Sequence, residues 1–146
     1  MPKSIHRQRK TSAVFMITWL PKYEIGITKI DFEHKIFLSL IQDFATKIDE
    51  KPDQQILKKR VLEIKKYAEF HFFSEENFME EIGYPELEIH RNFHNDLLRE
   101  LEMHINALGS ENYKIKDFLD FVIEWFIAHT TQEDIRIAKF MRGEPF

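Results

Sequence analysis

The sequence predicts an all-α fold: an antiparallel up-down-up-down four-helix bundle with an irregular N-terminal arm and a short C-terminal helix. Three observations carry that expectation. Only 4 glycines occur in 146 residues, which disfavours a turn-rich β fold. Four stretches repeat apolar residues at helical spacing. Each is bounded by a capping residue, a glycine or a proline, and the joins between them are short.

The elements follow in order. Residues 17–30, ITWLPKYEIGITKI, mix apolar residues with Pro21 and Gly26 and read as an arm that packs Trp19 and Ile30 onto the body. Asp31 is the expected N-cap of a first helix over 32–50, with Ile36, Phe37, Leu40, Ile41, Phe44 and Ile48 on its apolar face. Lys51 and Pro52 end it. Asp53 caps a second helix over 54–82, whose stripe runs Leu57, Val61, Ile64, Ala68, His71, Glu75, Phe78, Met79 and Ile82. Gly83 stops that helix, and Pro85 suits the first turn of the next. The third, over 85–108, carries Leu87, His90, His94, Leu97, Leu101, Ile105 and Leu108 before Gly109. The fourth, over 113–130, carries Ile115, Phe118, Val122, Trp125, Phe126 and His129. A shorter helix with Ile137 and Phe140 follows. Phe72, Phe73, Phe78, Phe93, Phe118, Phe121 and Phe126 are expected in the core or at its edge.

Composition narrows the function. The length suits one domain, here residues 17–146, preceded by a basic, flexible tail over 1–16. That tail holds Lys3, Arg7, Arg9 and Lys10 and no acid, so the remainder carries 17 basic and 25 acidic residues, net −8. An acidic body argues against nucleic acid as the main partner. No apolar run reaches the ~18–20 residues that span a membrane, and the polar start lacks a secretory apolar stretch; the expected compartment is the cytoplasm. The absence of cysteine excludes disulfides, thiolate metal sites and cysteine nucleophiles.

The chemistry lies in an ordered series: His34, then His71 with Glu75, then His90 with His94, then His129 with Asp134. Residues four apart on a helix share a face at about 6 Å. The last pair is five apart. His34 and the His90/His94 pair stand near the starts of odd helices, and His71, Glu75 and His129 toward the ends of even ones. An antiparallel bundle brings those ends together, so all seven groups converge on one level. Imidazoles and carboxylates are transition-metal ligands, and seven exceed what one four-coordinate zinc takes. The series therefore points to two metals. Five imidazoles, two bridging carboxylates and one shared oxygen bridge fill all but one of the positions that two octahedral ions offer. The His-Glu-x-x-His of zinc peptidases is absent, and the i, i+4 spacing departs from the Glu-x-x-His of ferritin-like sites. His6 and His104 are expected at the surface, and the run around Glu76 on a solvated face.

The segments ITWLPKYEIGITKIDFEHK, HFFSEENFMEEIGYPELEIHRNFH and EWFIAHTTQED give the sequence a specific likeness. Over about residues 17–140 it resembles the hemerythrin family, in its single-domain bacterial form. The resemblance implies a non-haem di-iron centre (two iron ions, Fe2+/Fe3+, with a bridging oxo or hydroxo group) that binds dioxygen reversibly, as a carrier, store or delivery protein and not an enzyme. It implies that His90, His94 and His129 hold one iron, that His34 and His71 hold the other, which keeps the open position, and that Glu75 and Asp134 bridge them. Phe72, Trp125 and Phe126 are candidates to wall the pocket. Thr130 and Thr131 stand where the family usually has a bulky aliphatic residue after the last histidine, so a hydroxyl is expected near the open site. Two other classes compete: an oxygen or redox sensor or interaction module, and a di-iron oxidase, peroxidase or nitric-oxide scavenger. No acid–base dyad beyond the ligands is visible, which weighs against catalysis. Expected partners are dioxygen and a protein that receives oxygen or a signal, with the chain a monomer or small homo-oligomer.

Overall fold

A computed structural model of the chain describes residues 18–146; the expected basic tail and His6 lie outside them. The described residues form α1 (Thr28–Asp49), α2 (Gln54–Glu81), α3 (Leu87–Ala107), α4 (Ile115–Ala128) and α5 (Ile135–Met141), with a 3-10 turn at Pro21–Tyr23 in the arm. α1 packs on α2, α2 on α3, and α4 on α1, which gives the four-helix bundle. No strand occurs among the described residues.

α1 starts earlier than its sequence suggests. The Asp31 amide already donates to the Ile27 carbonyl at 2.8 Å, so Asp31 stands within the first turn and is not the N-cap. Its carboxylate reaches backward and accepts from the Ile25 and Gly26 amides at 2.9 and 3.0 Å. Those bonds fold the arm against the helix start, and Gly26 makes the turn at φ +92°, a region that favours glycine. Asp53 does cap α2, accepting from Gln55 and Ile56 amides at 2.9 and 3.1 Å. At the other end of α2, Gly83 takes φ +67° and the Tyr84 amide returns to the Met79 carbonyl at 2.9 Å, a glycine-dependent stop. Pro85 falls in the connecting turn, and α3 begins two residues after it.

α4 does not end near residue 130 with a separate helix after it. Residues His129–Asp134 form a π turn that runs directly into α5. The π ladder bonds residue i to i+5 and is a rare, single-turn insertion. The face assignments also need correction. Ile36 is exposed while Leu38 is buried, and Phe73 and Phe93 face outward. His104 is half-buried, with the Tyr113 hydroxyl 2.6 Å from its Nδ1 and its ring stacked on Phe121.

The apolar core falls into two clusters. The larger follows the bundle and includes Phe37, Ile41, Phe44, Val61, Ile64, Phe72, Phe118 and Phe126. The smaller gathers Ile25, Ile27 and Ile30 of the arm and α1, Met79 and Tyr84 at the end of α2, and Ile137 and Ala138 of α5. A layer of buried polar residues contributed by α1, α2, α3 and the π turn accompanies them: His34, His71, Glu75, His90, His94, His129 and Asp134.

Candidate metal centre

Each helix delivers its polar groups by register. His34 continues the α1 stripe that buries Phe37, Leu38 and Ile41. His71 and Glu75 sit one turn apart on α2, and His90 and His94 one turn apart on α3. A five-residue step in a regular α-helix would leave His129 and Asp134 on different faces. The π turn admits the extra residue, and both are buried in the same layer.

Ligand atoms of Glu75, His90, His94, His129 and Asp134 all lie within 4.8 Å of one another, and so do those of His34, His71, Glu75 and Asp134. The two carboxylates belong to both sets and divide their oxygens between them. Glu75 Oε1 lies 2.7 Å from His90 Nε2 and 3.1 Å from His94 Nε2, while its Oε2 lies 3.3 Å from His71 Nε2 and 3.8 Å from His34 Nε2. Asp134 Oδ1 lies 3.0 Å from His90 Nε2 and 3.1 Å from His129 Nε2, and Oδ2 lies 3.1 Å from His34 Nε2.

Hydrogen bonding does not satisfy this layer. Glu75 Oε2, both Asp134 oxygens and His34 Nδ1 are fully buried with no hydrogen-bond partner. His94 Nε2 and His129 Nε2 face each other at 3.1 Å. An unsatisfied buried polar group costs about 1–3 kcal/mol, and more if charged. Nitrogen and oxygen ligand atoms that converge at one level, several of them without a hydrogen-bond partner, fit cations, and the all-nitrogen-and-oxygen set fits iron. The chain's own groups hold charge in opposite senses. Burial works against ionised Glu75, yet the four imidazoles of His34, His71, His90 and His94 hold its carboxyl well below the usual range. Asp134 is lowered too, despite burial and the neighbouring Glu75, by His129 and His34. Burial also opposes the imidazolium of His71 and His90, but the carboxylates around each push it up to about 10. His129 alone is lowered, because burial there outweighs Asp134.

Aromatic rings enclose the layer. Phe72 stacks on His94 at 4.1 Å, Trp125 stacks on His129 at 5.1 Å, and Phe126 meets His34 edge-on at 5.8 Å. Thr130 is buried as well. The Thr131 hydroxyl turns away and donates to the Ile127 carbonyl at 2.6 Å.

Three contacts around the layer escaped the sequence reading. Glu33 is buried, with Oε1 2.9 Å from His71 Nδ1 and Oε2 accepting from the Ser74 hydroxyl at 2.8 Å. The Tyr67 hydroxyl donates to the Glu33 carbonyl at 2.7 Å and pins the same turn of α1. Glu76 is not simply solvated, since its Oε1 lies 3.5 Å from His94 Nδ1 and 3.6 Å from Arg91 Nε. A signal for Glu33 existed. The outer nitrogen of a ligating histidine usually meets a carboxylate or carbonyl, and the residue before His34 is an acid.

Residues 25–140 match the family described as Hemerythrin HHE cation binding domain. The chain is 31% identical over 130 residues to a Bacteriohemerythrin of Clostridium acetobutylicum, a span covering 82% of this chain and 96% of that one. It is 29% identical over 112 residues to a Bacteriohemerythrin of Campylobacter jejuni, covering 76% and 84% respectively.

Proposed function

Since the chain belongs to the hemerythrin family and its buried cluster fits a non-haem iron site, we propose that it binds dioxygen reversibly at a di-iron centre, as a carrier, store or delivery protein. The observation that carries this reading is the division of oxygens described above: Glu75 and Asp134 each offer one oxygen to either donor set. That is the arrangement two carboxylates need to bridge two ions. His90, His94 and His129 would hold one iron, His34 and His71 the other, with an oxo or hydroxo group between them.

When bound, two irons supply the electrons that an incoming dioxygen takes up and returns. The protein's part is to position, to enclose and to abstain. Phe72, Trp125 and Phe126 cover the imidazoles and keep water from the layer. Glu33 fixes the ring of His71 from outside by accepting at its Nδ1. Among the described residues, the buried carboxylates beyond the proposed ligands are Asp31 and Glu33. Asp31 is turned to the arm, and Glu33 lies on the outer side of His71. With no spare acid or base inside, the layer favours storing dioxygen over a reaction that consumes protons.

The test is optical and elemental. Purified protein is expected to hold two irons per chain. Deoxygenated ferrous protein exposed to air is expected to gain a visible charge-transfer band that argon removes. A single zinc per chain would sink the di-iron reading. Irreversible conversion to the oxidised form, or sustained turnover with peroxide, would favour the sensor or enzyme classes.

A further inference from the structure

The outer face of α1 and α2 is apolar at a place where a bundle helix is ordinarily polar. Phe32 is 64% exposed and Ile36 47%, one helical turn apart on α1. Phe70 is 57% exposed and Phe73 65%, three residues apart on α2. The bonds from Tyr67, His71 and Ser74 to Glu33 fix the register of the two antiparallel helices, so residues 32–36 stand level with residues 67–74. The four side chains therefore form one patch, joined to the core through Tyr67, whose ring lies 6.0 Å from Phe70 and 5.9 Å from Phe37. Three phenylalanines exposed to this degree present on the order of 300–400 Å², the size at which a surface patch on a monomer is often functional.

The rim indicates what covers it. On α1 and α2 some exposed charges pair within the chain: Lys47 with Glu50, Arg60 with Glu63, Lys65 with Glu102. Others, among the described residues, make no ion pair: Asp43, Lys59, Glu80 and Lys29, the last of which acts on Glu33 only through its field. Lys29 and Asp43 lie seven residues either side of Ile36, on the same strip of α1. A two-fold axis along the groove between α1 and α2 would lay α1 of one molecule on α2 of another, antiparallel and in the same register. Phe32 would then meet Phe73 of the second copy, and Ile36 would meet Phe70. Asp43 would come opposite Lys59, and Lys29 would approach Glu80. Asp43 and Lys59, in no ion pair within one chain, are complementary between two.

We propose that this face is the isologous interface of a homodimer. A stable interface buries about 800 Å² on each side, so the four apolar side chains form its dry centre and the two charge pairs part of its rim. Because every contact is made twice, one substitution strikes the interface at two places.

Sedimentation equilibrium of the full chain over a range of concentrations tests it, with far-UV circular dichroism and iron content as controls for folding. The chain is expected to dimerise. Phe73→Glu, at an exposed position outside the iron layer, is expected to weaken dimerisation by about tenfold or more. Asp43→Lys alone is expected to weaken it, and Asp43→Lys combined with Lys59→Asp to restore it. A monomer at every concentration overturns the proposal, whatever other protein then covers the face. A dimer indifferent to Phe73→Glu, or a charge exchange that restores nothing, overturns it as well.

Discussion

Glu33 touches no candidate iron position, yet it decides how His71 presents its inner nitrogen. Its Oε1 fixes the Nδ1 side of the ring, and its Oε2 is fixed in turn by Ser74. Removing such an outer partner of a ligating histidine typically costs 10–100-fold in metal affinity. Glu33→Ala is therefore expected to lower ferrous-iron affinity by roughly 10–100-fold with helix content kept. Glu33→Gln, whose amide oxygen still accepts, is expected to lose far less. Competition against a coloured iron chelator measures both. Equal losses in the two variants would show that charge, and not orientation, is what Glu33 supplies.

Two aspartates at helix starts do different work at the scale of the element. Asp53 caps α2 at an exposed position, where replacement by alanine costs typically about 1 kcal/mol. Asp31 is buried and ties the arm to α1 through two amides. Its loss leaves two donors near the apolar group of Ile25, Ile27 and Ile30 without an acceptor, and an unsatisfied buried donor costs about 1–3 kcal/mol. Urea titration is expected to rank Asp31→Ala as clearly more destabilising than Asp53→Ala. The reverse order would mean that the arm contributes little to the fold. Tyr23 of the same arm packs edge-on against Phe126, which meets His34, so loosening the arm also loosens a wall of the iron layer.

Stability of the whole molecule depends on pH through that layer. In iron-free protein His71 and His90 titrate near 10 when folded, against an ordinary 6.5. Raised basic groups stabilise the fold fully below pH 6.5, and the contribution is lost as pH rises toward 10. Glu75, lowered from 4.5, stabilises above that value and less as pH falls. Iron-free protein is thus expected to melt highest between about pH 4.5 and 6.5 and progressively lower toward pH 10. Iron requires neutral imidazoles, so the loaded protein is expected to lose the alkaline decline and to release metal in acid. Thermal melts of both forms across pH provide the check. The bundle itself and the common level of the seven groups were legible in the sequence, because helix ends and 3.6-residue periodicity determine which ends meet. Glu33 and the outward phenylalanines were not. Periodicity tells which face of a helix a residue occupies, but the level at which a neighbouring helix stands comes only from packing. Phe32 and Phe73 look like core residues in composition and are exposed because no helix among the described residues covers their side.

The widened turn at the end of α4 settles a choice between neighbours. In a regular helix the residue sharing a face with His129 would be Glu133, four positions on. The extra residue of the π turn passes over Glu133, which stays half-buried, and brings Asp134 into full burial. Asp134 has one side-chain torsion fewer to freeze than a glutamate would, so less rotamer freedom is lost in holding it still. Which of two adjacent acids enters the layer is thus written in the pitch of the backbone.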